Sequence, residues 1–184
     1  ANKERDREEM SQARTPEIRL VEVDRLVPFE GNPRKCGKDQ LERLARSIEG
    51  FGFVEPIIAW DAPELGDDGQ LLVIVGHQRL EAARQCGKKK VPVIIYPFSD
   101  RREALEYNVA SNRLAEMSSW DWKKLGELIE YLDIGDGVDL ELTGWTNEEL
   151  EDIVTGGFKP KESTESSEES REIECPKCGY RWQS

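Results

Sequence analysis

Between residues 71 and 95 the sequence reads LLVIV, G, HQRLEAARQC, G, KKKVPVII. An apolar run, a glycine, ten residues with helical composition, a second glycine and a β-branched run predict strand, turn, helix, turn, strand. Gly87 is placed to end the helix, and Gly76 to turn the chain sharply into it. A glycine between a buried strand and a helix start lets a ligand approach the backbone. The free amides of the first helical turn then point outward, which makes an anion site. Arg79 adds a planar fork matched to phosphate oxygens. The competing reading is a tight turn with a solvated arginine, because strand, glycine, helix is a common order in α/β folds.

The same logic extends outward from this segment. EIRLVEV (17–23) reads as a strand, and DRLVPFEGNPR after it, with two prolines and a glycine, as a loop. In KDQLERLARSIEGFGF, Leu41, Leu44, Ala45, Ile48 and Phe51 recur at helical spacing before a glycine stop. EPIIAW and LLVIV, joined by the turn-rich DAPELGDDGQ, predict a hairpin-like pair. Residues 17–98 therefore predict a small mixed-sheet α/β domain. Asp100 with Glu103 forms a capping-box signature for a helix through Met117, Ser119 is a candidate cap for the next helix, and Thr146 with Glu149 for a last one. On the middle helix Trp122, Leu125, Leu128, Ile129 and Leu132 share a face. Residues 99–155 thus predict a helical extension packing on the sheet, and the whole is an α+β chain. Residues 1–16 read as a charged mobile arm, 156–173 as an acidic disordered linker, and 174–184 as a short cysteine-bearing tail.

Composition narrows the function. With 37% hydrophobic and 35% charged residues, the chain holds one ordinary core plus solvated ends. A net charge of −12 opposes nonspecific DNA coating unless the basic groups gather on one face. No apolar run is long enough for a membrane span, the first residues lack a secretory pattern, and the four cysteines do not suggest a disulfide framework. A cytoplasmic protein is expected.

Three stretches, in order, carry a family resemblance. VGHQRLEAARQCGKKKVPVII resembles the glycine-x-x-arginine box of the ParB/sulfiredoxin superfamily, LVPFEGNPRK its upstream box, and NVASNRLAEMSSWD its downstream asparagine box. The likeness covers roughly residues 18–132 and is closest to ParB-like domains of phage and mobile-element proteins. It implies a nucleotide site. Gly76, His77, Gln78 and Arg79 would hold phosphate, Asn32 and Arg34 would line the entrance, and Asn112 with Arg113 would approach the triphosphate or its metal. A nucleoside triphosphate, CTP or ATP, with magnesium is the implied ligand. Two departures stand out. Ser111 occupies the place where chromosome-partition ParB proteins usually have a glutamate that helps to hold magnesium, and His77 stands where sulfiredoxin uses its cysteine, which argues against sulfinic-acid repair. Glu30 lies in a loop similar to that of free-serine kinases with this fold, where a glutamate acts as base on the substrate hydroxyl. Its bland alternative is a solvated loop acid.

Other motifs are less specific. His77 either donates to phosphate or fills a turn. Cys175 and Cys178, in CPKCGYRW, read as half of a tetrahedral zinc site, completed across a homodimer or by Cys36 and Cys86, or else as a vestigial knuckle. Trp120, Trp122 and Trp145 read as core aromatics rather than a base-stacking platform, and Lys88, Lys89 and Lys90 as complements to a helix dipole. The leading expectation is a nucleotide-binding ParB-like protein of phage or plasmid DNA metabolism, with slow NTPase or phosphotransferase activity as its enzymatic form. The alternatives are a noncatalytic adaptor for a partner such as a methyltransferase or terminase, a DNA-binding or nuclease protein, and a small-molecule serine kinase. No membrane partner is expected.

Overall fold

The computed structural model describes residues 15–66, 69–133, 139–159, 172–174 and 181–183. The expected arm, acidic linker and cysteine tail lie largely outside these residues, as do Cys175 and Cys178. Five strands form one mixed sheet: β1 (Glu17–Glu22), β2 (Leu26–Pro28), β3 (Ile57–Trp60), β4 (Leu71–Val75) and β5 (Lys90–Ile95). Their order is β1-β5-β3-β4-β2. β1 runs antiparallel to β5 and β3 antiparallel to β4, whereas β5 with β3 and β2 with β4 are parallel. The expected β3–β4 pair is present. β2 corrects the expectation of a continuous loop over 24–34: Leu26–Pro28 pairs with Leu71–Val73 at the sheet edge, the place in a sheet where proline is tolerated.

Helices α1 (Lys38–Phe51), α2 (His77–Gln85), α3 (Arg101–Glu116), α4 (Trp122–Asp133) and α5 (Asn147–Thr155) complete the described chain, with a short two-stranded ribbon of β6 (Glu172–Glu174) and β7 (Arg181–Gln183). β4 is buried on both faces. Leu71 and Val73 join Val91, Val93, Ile57 and, from α2, Leu80 and Ala83 in one core, while Leu72 and Ile74 join Trp60, Phe98 and Ala104 of α3 in another. This explains the unbroken apolar run, since each face of the strand has its own helical cover. Of the apolar stripe expected on α1, Ile48 is buried, Leu41, Leu44 and Ala45 are half-buried, and Phe51 is 61% exposed.

The helical extension departs from expectation. α3 lies on the sheet, but α4 and α5 enclose a third core, with Ile129, Leu150 and Ile153 packed by Trp122, Trp145 and Phe158. Gly126 permits the close approach, because a Cβ there would stand 3.3 Å from the Ile153 carbonyl oxygen. Trp122 and Trp145 are thus core aromatics. Trp120, 58% exposed, is not, and touches Trp145 only edge-on at 6.4 Å. Leu128, expected on the buried face of α4, is also exposed.

Capping shows equally local corrections. α4 is capped by Asp121, whose Oδ1 accepts from Lys124 N–H at 3.2 Å, and not by Ser119. Asp100 caps α3, its Oδ1 accepting from Glu103 N–H at 2.8 Å, and the Glu103 carboxylate accepts from the Ser99 N–H and hydroxyl at 2.7 Å. The Thr146–Glu149 box of α5 is complete. Its Glu149 also takes Arg43 of α1, whose Nη1 donates to Glu149 Oε2 at 2.9 Å and to the Gly144 carbonyl at 2.7 Å. Burial alone would raise the Glu149 carboxyl, but hydrogen bonds from Thr146 and Arg43 more than offset it and hold the group below its ordinary range. The α4–α5 unit is joined to α1 at this point and where Leu142 lies over Gly50. Among the described residues no helix is long and apolar enough to cross a membrane.

Candidate nucleotide-binding site

β4 delivers the chain to Gly76, which adopts φ 100°, a left-handed conformation that favours glycine. α2 begins at once, with no side chain capping its N-terminus. A helix leaves its first amides without intrahelical partners, so the amides of the His77–Arg79 turn are available to an anion. The space above Gly76 is tight as well: a Cβ there would meet Arg79 Nε at 3.3 Å and Ile57 Cγ1 at 3.3 Å.

This turn forms the floor of a cavity of about 310 Å³. Gly76, His77, Gln78 and Arg79 line it from below, Asn32 and Arg34 from the β2–α1 loop, and Asn112 from α3. Seven residues taken from three separate stretches of sequence therefore share one wall-to-wall space. Glu30 is exposed and is not among the lining residues, and neither is Arg113, whose guanidinium is 69% exposed and pairs with Glu116 at 3.7 Å.

Each wall has its own support. Arg79 Nη1 donates to the Glu55 carbonyl at 3.1 Å and to its carboxylate at 2.9 Å. Burial lowers the Arg79 pKa, and the Glu55 charge acts against that shift. His77 Nε2 accepts the Phe29 backbone N–H at 3.2 Å, which leaves the ring proton on Nδ1. Burial pushes the imidazole below its usual pKa of 6.5, so the neutral form is favoured. His77 thereby clips the β2–α1 loop to the start of α2. Arg34 ties the same loop to α3 by an ion pair with Glu116 at 3.3 Å. Asn32 Oδ1 is buried without a hydrogen-bond partner.

On the α3 side, sequence reasoning missed Asn108. It is 2% exposed, donates from Nδ2 to the Ile74 carbonyl at 2.5 Å, and receives the Asn112 amide on its own carbonyl at 2.9 Å. The reason lies in β4. The register passes from Ile58↔Val75 to Ala59↔Val73, so Ile74 is the bulged residue, and pairing with β2 has ended by Val73. The Ile74 carbonyl is free for a side chain to claim. An available signal was the four-residue spacing of Asn108 and Asn112, which puts both on one helix face. Glu55, also missed, carried no local signal.

The donors around the cavity are amide, guanidinium and imidazole groups, a set suited to an anion. Ser111 lines it where the resemblance leads one to look for an acid, and Glu55, its sole carboxylate, already holds Arg79. Among the described residues no group of three or more His, Cys, Asp or Glu is placed to hold a metal ion, and Cys36 and Cys86 are free thiols. These residues do not fit a magnesium ion held by protein carboxylates.

A family model described as the ParB N-terminal domain matches residues 7–113. The chain belongs to this family. The matched span takes in the whole five-stranded sheet and ends within α3, so both asparagines of the cavity wall fall inside the ParB N-terminal domain and α4 and α5 lie beyond it. The nucleoid occlusion protein of Geobacillus sp. (strain WCH70) is 29% identical over 103 residues, covering 55% of this chain and 35% of that protein. The probable chromosome-partitioning protein ParB of Vibrio cholerae is 35% identical over 95 residues, covering 50% of this chain and 31% of that protein. The match thus spans only about a third of these relatives. Among solved structures, a C-terminally truncated ParB from Caulobacter crescentus complexed with CTP-γ-S has a TM-score of 0.56 at 22% identity, covering 76% of this chain and 71% of that one. That likeness establishes the ParB fold.

Proposed function

We propose that the cavity binds the phosphates of a nucleoside triphosphate, and that the chain is a nucleotide-binding ParB-like protein of DNA metabolism. The observation carrying this reading is the convergence of Asn32, Arg34, Gly76–Arg79 and Asn112 on one cavity above an uncapped helix N-terminus. CTP is the first nucleotide to test, because the Caulobacter ParB is complexed with a CTP analogue. In this reading the α2 amides and Arg79 hold phosphoryl oxygens, Arg34 closes the side toward solvent, and Asn112 orients the ligand from α3. A setting in phage or plasmid DNA rests on the sequence resemblance.

The test is isothermal titration with CTP, ATP and GTP beside an Arg79→Ala variant whose fold is confirmed by its melting curve. One nucleotide is expected to bind and to lose at least about tenfold in affinity in the variant, as removal of a charge-assisted phosphate contact requires. No binding by the folded wild-type chain overturns the reading. An adaptor role is the second reading, favoured by the exposure of Val109, Leu114, Met117 and Trp120 along and just after α3. It predicts a partner complex insensitive to nucleotide.

A further inference from the structure

Among the residues lining the cavity, Glu55 is the one side chain of the wrong sign for a phosphate. It nevertheless sits on Arg79, with Oε2 2.9 Å from Nη1. The two partners are unequal in their surroundings. The Arg79 side chain is 20% exposed and the Glu55 side chain 81% exposed. A guanidinium so far withdrawn from water needs an anion beside it, whereas the carboxylate has little to lose by returning to solvent.

The contact also divides the guanidinium in two. Both Glu55 acceptors, the backbone carbonyl and the carboxylate, use Nη1. The Nε–Nη2 edge faces the turn instead, since a Cβ on Gly76 would stand 3.3 Å from Nε and 3.4 Å from Nη2. The backbone carbonyl is enough to orient the arginine, because it is fixed by the chain whatever the side chain does. The carboxylate therefore supplies charge more than position.

We propose that Glu55 is an internal anion that occupies Arg79 in the empty site and is displaced by the ligand, so that it sets a charge threshold for entry. This rests on the phosphate-binding reading of the same cavity. Because the ligand takes the Nε–Nη2 edge and not the Nη1 position that Glu55 holds, it displaces the carboxylate by charge repulsion, and a singly charged ligand gains little over the neutralisation Glu55 already gives Arg79. A polyphosphate gains the Nε–Nη2 edge and the free amides of α2 together, which the carboxylate cannot reach at once. The ligand class selected is a di- or triphosphate, and the discriminating residue is an acid.

Titration of the full chain with CTP and, separately, with inorganic pyrophosphate compares wild type with Glu55→Gln and Glu55→Ala, each checked for folding by thermal melting. Both variants should bind each probe roughly three- to tenfold more tightly than wild type, with the gain shrinking as salt rises. Unchanged affinity in the variants, or weaker binding in either, overturns the proposal. Weakening in Glu55→Ala restored by Glu55→Gln would instead make Glu55 a positioning residue for Arg79. Pyrophosphate separates the two ideas: tighter pyrophosphate binding in the variants without any nucleotide binding upholds displacement and removes the nucleotide reading. Nucleotide binding indifferent to Glu55 does the reverse, and failure of both probes on all three proteins overturns both.

Discussion

His77 occupies the first position of α2 with its ring folded back onto the Phe29 amide, and it is the single histidine of the chain. Its charged form would lose that hydrogen bond and bring a proton into a partly buried setting. The folded pKa is therefore depressed, and the sign of the linkage follows. Stability from this group is complete above the ordinary value of 6.5 and declines as pH falls from there toward the folded pKa, because the unfolded chain takes up the proton first. Urea midpoints measured between about pH 7 and pH 5 should fall in wild type. They should fall less in His77→Gln, whose side-chain oxygen reaches where Nε2 stands but does not titrate. A single imidazole resonance followed by NMR gives the pKa directly. At this scale the sequence was only half legible. Gly76 and Arg79 declare themselves, because a turn glycine and an arginine three residues later form a local pattern. The use of the His77 ring as an acceptor depends on Phe29, 48 positions away.

Among the elements, α3 and β4 are joined by a side chain rather than by apolar packing alone. Asn108→Ala removes the donor to the Ile74 carbonyl and leaves that acceptor buried beside the Ala104 core, a loss of about 1–3 kcal/mol by the cost of an unsatisfied buried group. Chemical denaturation should show a lower midpoint with an unchanged slope. Asn108→Asp should be no better, since an ionised carboxylate cannot donate to a carbonyl. The helices and four of the five strands of the main sheet were legible because each has its own period and stop signals. β2 was not, because three residues carry no period and two prolines in the segment argue for loop. Its pairing comes from Leu71–Val73, far along the chain. The β4 bulge was invisible for a related reason: LLVIV reads as uniform strand, and only the register with β3 shows Ile74 to be the extra residue.

For the whole molecule, 26 basic against 38 acidic residues give a field that repels polyanions, so the proposed phosphate site has to work locally against a charge of −12. A random duplex titrated into this chain at about 0.15 M salt should bind more weakly than about 10⁻⁴ M, the loose end of ordinary nonspecific affinity, as read by fluorescence anisotropy. Salt-sensitive micromolar binding would show instead that the basic groups act as one face. The separation of α4 and α5 into their own core was not legible either. Their amphipathic faces say that they bury something, and the pattern is the same whether the cover is a sheet or another helix. The bulge at Ile74 has one last consequence. Because Asn108 grips β4 only two residues before Gly76, the asparagine wall and the Gly76 turn are parts of a single jaw. The Asn32–Arg34 loop, held by the His77 clip and an exposed ion pair, is the other jaw, so in the proposed phosphate-binding reading a ligand is gripped as in a vise whose loop side has the weaker fastening.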